Sequence, residues 1–138
     1  MSKPTIVLVP GSWHGPTSYR LLISLLDRHG YKVASLRLPS THTTPGKAAT
    51  FEDDCKALHT FIDDVEGDVI VVCHSYAGAV TTEGLRGLTD KVKSIVYLCA
   101  YMLEEGEKLY TSDAKGDDQA RWDVIDVQVS VPPFVQVL

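Results

Sequence analysis

The residues of this 138-residue chain with the clearest chemical potential are one serine, five histidines and three cysteines. Ser75 follows Val69 to Cys73, a run of Val and Ile too continuous in apolarity for a half-exposed strand, and precedes Tyr76, Ala77 and Gly78 at the head of a helical stretch. A serine between a buried strand and a helix has two uses. Its oxygen can cap the helix, or it can act as a nucleophile, which requires an adjacent base. His74 adjoins Ser75, but neighbouring residues on a strand point to opposite faces, so His74 is expected behind the turn and off the Ser75 hydroxyl. His29, His42 and His59 fall at a helix end, in a polar loop and within a helix, where solvated side chains are expected. No histidine follows His74.

Cys55, Cys73 and Cys99 are widely spaced and each lies in an apolar segment, so buried thiols are expected in place of disulfides or a metal site. Gly11 and Gly15 after the first apolar run invite comparison with a dinucleotide-binding loop. The Gly-x-Gly-x-x-Gly spacing is absent, however, and no acidic residue closes the second run. No cofactor and no metal are expected.

Four short runs must position these residues: Thr5 to Val9, Lys32 to Leu38, Val69 to Cys73 and Val92 to Ala100, all rich in Val, Ile and Leu. Helical stripes separate them. Tyr19, Leu22, Leu25 and Leu26 form the first, ended by Gly30 in a left-handed cap. Phe51, Cys55, Leu58 and Ile62 form the second, with Thr50 as its cap. A third follows Ser75 toward Gly87, carrying Ala77, Val80 and Leu85. Parallel strands need long crossovers, so this alternation predicts an α/β fold, a parallel sheet with helices on both faces. Leu38 to Ala49, polar and turn-rich, suits a loop at the carboxyl edge of the second strand, where open parallel sheets bind ligands. Beyond the core at residues 1–108, residues 109–138 read as a polar segment and a strand-like tail, a remnant of a lid. In the tail Ile125, Val127, Val129 and Val131 alternate with polar residues until Pro132 and Pro133.

The composition, 44% hydrophobic and 22% charged, is that of one globular domain. No apolar run approaches the roughly 20 residues of a bilayer span, so no membrane partner is expected. A formal charge of -5 leaves no basic excess for phosphates, which argues against nucleic acid. Met1 to Pro4 has no basic region leading to an apolar stretch and cleavage site, so a cytoplasmic location is expected.

Cys73-His74-Ser75-Tyr76-Ala77 resembles the nucleophile elbow of the α/β-hydrolases, Gly-x-Ser-x-Gly, with small residues in place of both glycines. Val7 to Gly15, reading Val-Leu-Val-Pro-Gly-Ser-Trp-His-Gly, resembles that family's first core strand and oxyanion loop. With Leu38-Pro39-Ser40, these motifs look most similar to small esterases of the plant methylesterase and hydroxynitrile-lyase type. The resemblance covers about Thr5 to Lys108, and full members are about twice as long. It implies Ser75 as nucleophile, the backbone N–H groups of Ser12 and Tyr76 as the oxyanion hole, and a small-molecule ester or related carbonyl compound as substrate. It also implies a pocket entrance near Trp13 and His14, although Trp13 packed on a helix and His14 as a polar loop residue serve equally well. The family order of nucleophile, acid, histidine nominates Glu104 or Glu105 as acid only where the acid follows the fourth strand, and it leaves the histidine without a counterpart.

Two readings therefore stand. One is a serine ester hydrolase lineage with an incomplete triad in this chain. The other is a non-catalytic ligand-binding or interaction protein that keeps the fold. A fragment, a naturally short protein and a chain completed by a partner are all compatible with the sequence. A sheet of four core strands would leave a bare edge and apolar helix faces, so a homo-oligomer is expected.

Overall fold

The computed structural model describes residues 2–41 and 48–103 and the backbone of Val135–Val137. Strands β1 (Thr5–Val9), β2 (Val33–Ser35), β3 (Val69–Ser75), β4 (Val92–Ala100) and β5 (Val135–Val137) form one sheet in the order β2-β1-β3-β4-β5. Every pair is parallel, with Val7 opposite Ala34 on one side and Val71 on the other. Helices α1 (Arg20–Arg28), α2 (Phe51–Asp64) and α3 (Ala77–Gly84) make the crossovers. The chain leaves β1 sideways to β2, then returns past β1 to β3. Right-handed crossovers in opposite directions place α1 on one face and α2 with α3 on the other.

Burial follows the two-residue period of the strands. Val7 and Val9 of β1, Val71 and Cys73 of β3, and Ile95 and Tyr97 of β4 pack with Leu58 and Ile62 of α2 and Val80 of α3 in one core. Each fully buried Val, Leu or Ile contributes about 1.5–3 kcal/mol by leaving water. The opposite face buries Ile6 and Leu8. Here α1 contributes no buried residue, and its Leu21 and Leu25 stay exposed. Gly30, at φ +75, ends α1 in the expected left-handed conformation. Thr50 caps α2 through a capping box, its hydroxyl accepting from the Asp53 N–H while the Asp53 carboxylate accepts from the Thr50 N–H.

The second strand is shorter than its apolar run. Pro39 cannot donate to a ladder, and the Leu38 carbonyl accepts from the Thr41 N–H and hydroxyl in a 3-10 turn over Pro39–Thr41. The predicted strand from Ile125 to Val131 lies outside the described residues. β5 follows the two prolines and extends the sheet beside β4.

Candidate functional site

The sheet's connectivity reverses beside β1: the chain runs from β1 to β2 on one side and to β3 on the other. Ligands of open α/β sheets sit at the carboxyl edge of such a switch point. The loop after β1 and the end of β3 meet there. A Cβ built on Gly11 would stand 2.9 Å from the Ser75 Cβ, 3.0 Å from the His74 carbonyl oxygen and 3.2 Å from His74 Nδ1. Only a residue without a side chain lets the loop rest against the turn at this distance.

Ser75 ends β3 in the left-handed region, at φ 54. It does not cap α3. The N-cap is Tyr76, in helical conformation and with no side-chain cap bond, so the capping role open to Ser75 from sequence is not the one it plays. Among the described residues the other non-glycine residues at positive φ are Trp13, in the loop after β1, and Cys99, near the end of β4. All three stand at the carboxyl edge of adjacent strands. Backbone strain of about 1–3 kcal/mol per residue persists where surrounding structure enforces it, and it concentrates at functional sites.

The enforcing structure at Ser75 is the start of α3 pressed onto the end of β4. A Cβ on Gly78 would lie 2.3 Å from the Tyr101 carbonyl oxygen and 2.8 Å from its nitrogen. The Tyr101 N–H donates to the Ser75 carbonyl at 3.1 Å. Thr82, one turn into α3, donates to the Gly78 carbonyl and shares a 2.7 Å hydrogen bond with the Tyr97 hydroxyl of β4.

Tyr76 is held from two sides. Its ring meets Phe51 edge-on with centroids 6.3 Å apart, and its hydroxyl donates to Asp54 Oδ2 at 2.9 Å. Burial, with the Asp54 charge beside it, pushes the Tyr76 phenol well above its ordinary pKa. Asp54 also accepts the Ser40 N–H at 2.8 Å and the Ser40 hydroxyl at 2.5 Å, and it is fully buried. One signal in the sequence marks it: Asp54 lies three residues after Phe51 and four before Leu58, a carboxylate on the apolar face of α2.

The remaining candidates divide. His14 is exposed, its ring Nδ1 2.7 Å from the Ser12 carbonyl. Trp13 is 82% exposed, so it does not pack on a helix: the left-handed turn between Gly11 and His14, closed by the His14 N–H on the Gly11 carbonyl, carries its ring outward. His29 is bonded to the Leu25 carbonyl at the amino-edge end of α1. His59 is not simply solvated, since it is half-buried and its Nδ1 donates to the Gly84 carbonyl, which α3 leaves open at its end. His42, Glu104 and Glu105 lie outside the described residues.

Cys55 and Cys73 are buried, and burial pushes both thiols up to about 12. Cys99 corrects the expectation of a third buried thiol. His74 pairs with Leu98 and Ser75 with Ala100, so Cys99 is the extra residue of a bulge and turns to solvent. Among the described residues no cluster of His, Cys, Asp and Glu could hold a metal ion, and no helix is long and apolar enough to cross a membrane.

Comparison with known proteins agrees with this geometry. The sequence model of the alpha/beta hydrolase family matches residues 6–136. The chain belongs to the α/β-hydrolase family. This α/β-hydrolase chain is 39% identical over 122 residues to a probable hydrolase, R7, of a Phoma species, covering 84% of this chain and 49% of the relative. It is 39% identical over 111 residues to a carbendazim hydrolyzing esterase of a Nocardioides species, covering 75% and 44%. Among solved structures it superposes on the methylesterase MES16 of Arabidopsis with a TM-score of 0.66 and 28% identity, over 86% of this chain and 52% of that one. The chain spans about half the length of the curated relatives it matches. Its α/β-hydrolase core therefore lies in a lineage that includes ester hydrolases.

Proposed function

We propose that this chain carries the nucleophile and oxyanion-binding part of a serine ester hydrolase acting on small-molecule esters. One observation carries the reading: Ser75 is held at positive φ at the end of a central strand, directly before a helix and against Gly11 of the loop after β1. In that position the Ser75 hydroxyl attacks the acyl carbon and passes its proton to a base. The carbonyl oxygen becomes an oxyanion held by the N–H groups of Ser12 and Tyr76, the alcohol leaves with a proton, and water releases the acid from the acyl-serine. Among the described residues neither N–H donates to a backbone carbonyl of the turns and loops. The start of α3 adds a dipole that favours the developing negative charge.

His29 and His59 are tied to helix ends, and His74 lies against Gly11, so none of the three is assigned the base. The base comes from His14, from residues outside those described or from another chain. Trp13 and His14, in the loop after β1, line the entrance to the substrate site. The test is hydrolysis of a short-chain nitrophenyl ester by the chain and by Ser75→Ala. Weak turnover lost in Ser75→Ala supports the reading. Equal rates for both, with ester still bound, would favour a binding protein on the hydrolase fold.

A further inference from the structure

Burying a carboxylate is costly unless donors surround it. Asp54 is fully buried and takes three: the Ser40 N–H, the Ser40 hydroxyl and the Tyr76 hydroxyl. It also lies in the first turn of α2, one residue beyond Asp53 of the capping box, where the helix dipole favours negative charge. An apolar side chain would fill the same space at no desolvation cost, so packing alone does not account for it.

What the carboxylate joins is specific. Ser40 belongs to the 3-10 turn that follows β2 at the carboxyl edge, and Tyr76 is the residue after Ser75. The Tyr76 ring cannot swing away, because Phe51 meets it edge-on and Asp54 holds its hydroxyl. A side chain fixed at its far end restricts its own Cα, and the peptide N–H of Tyr76 is one bond from that Cα. We infer that Asp54 is a positioning residue for the reaction: through the Tyr76 phenol it fixes the Tyr76 N–H at the angle an oxyanion needs, and through Ser40 it fixes the neighbouring loop wall to the same point. The inference rests on the proposed role of the Tyr76 amide. It predicts that loosening the anchor weakens transition-state stabilisation and leaves ground-state binding intact.

The test uses a fluorophosphonate, on whose phosphorus the Ser75 oxygen forms a bond as fluoride leaves and the hydroxyl proton passes to the medium. Asp54→Ala and Tyr76→Phe should each slow the labelling rate at saturating probe about tenfold, less than the hundred- to thousand-fold loss of a whole oxyanion donor. The final extent of labelling should not change, since a misfolded fraction lowers extent rather than rate. The double variant should be about as slow as either single one, because both act through one anchor. Asp53→Ala, which removes the capping box from the same turn, should lower stability and leave the labelling rate intact. Multiplying effects in the double variant, or equal slowing by Asp53→Ala, overturns the inference.

A second measurement is independent of chemistry. In 15N relaxation the Tyr76 amide should show a rigid order parameter of about 0.85 in the parent chain and a clear fall in Asp54→Ala. An unchanged Tyr76 amide overturns the positioning role whatever the labelling shows. Failure of the parent chain to label at Ser75 overturns the proposed function, and the relaxation result still decides the role of Asp54.

Discussion

Gly11 and Ser75 stand so close that a Cβ on the first would lie 2.9 Å from the Cβ of the second. The atoms that Gly11 meets are a side-chain root and the His74 carbonyl, and neither can move aside without moving β3. Gly11→Ala should therefore shift the loop after β1 and destabilise the fold by about 1–3 kcal/mol, the usual cost of overpacking. A urea titration gives the stability, and a midpoint equal to the parent's would show that the contact is looser than described. Ester turnover should fall more than stability, because the Ser12 amide moves with the loop.

Gly78→Ala should be the harsher change. Alanine in a helix is favoured over glycine by about 1 kcal/mol. That gain is offset many times over, since the added carbon would lie 2.3 Å from the Tyr101 carbonyl oxygen. Loss of the cooperative thermal transition is expected, and a raised transition temperature would contradict the close approach of α3 to β4.

Thiol titration should separate the three cysteines. Exposed Cys99 should react with a disulfide reagent at pH 8 in the folded chain, while Cys55 and Cys73, pushed up to about 12, should react only on unfolding. The same two thiols, with Tyr19 and Tyr97 also raised to about 12, set an alkaline limit on stability. The unfolded chain loses these protons from about pH 9 upward and the folded chain keeps them to about pH 12, so the unfolded state binds fewer protons and stability falls through that window. Urea midpoints at pH 8 and pH 10.5 give the sign, and a higher midpoint at the alkaline value would refute it.

Turnover should rise when a base is supplied. General-base help contributes about a hundred- to ten-thousand-fold, so fusing the C-terminal half of a close relative to this chain should raise nitrophenyl ester hydrolysis by a factor in that range. Rapid, Ser75-dependent hydrolysis by the 138-residue chain without the fusion would mean that His14, His42 or a second subunit already serves.

Self-association should be visible by light scattering at tens of micromolar. Leu21 and Leu25 are exposed on α1, and β2 is the outer strand of the sheet among the described residues. Leu21→Glu with Leu25→Lys should return the chain to a monomer. A monomeric parent chain would remove these surfaces from consideration.

The fold was legible wherever one physical signal acted alone. Thr5–Val9 is a continuous apolar run and Val92–Ala100 is apolar from Ile95 onward, and both strands have the bounds the sequence predicts. β2 is shorter because Leu38, although fully buried, turns its carbonyl toward Thr41. Burial and strand hydrogen bonding are separate properties, and apolarity reports only the first. Cys99 shows the same limit, since a bulge reverses the facing of one residue without a trace in the pattern of residue types. At the site, the place of Ser75 and Gly11 was legible from short motifs. The place of Asp54 on the apolar face of α2 marks it, but its bonds were not legible because its partners Ser40 and Tyr76 lie 14 and 22 residues away in the chain. No local periodicity connects them.

The interior position of β1, between β2 and β3, has a consequence for how the chain is made. Thr5 to Val9 leave the ribosome before the other described strands, yet one of the strands that flank them begins at Val69. Until β3 and α2 follow, a five-residue apolar strand has a bare edge and an uncovered face. Pairings that close so long a loop form slowly and leave such segments open to wrong partners. The strand that carries the loop beside Ser75 thus keeps one edge unpaired until β3, which bears the serine, arrives.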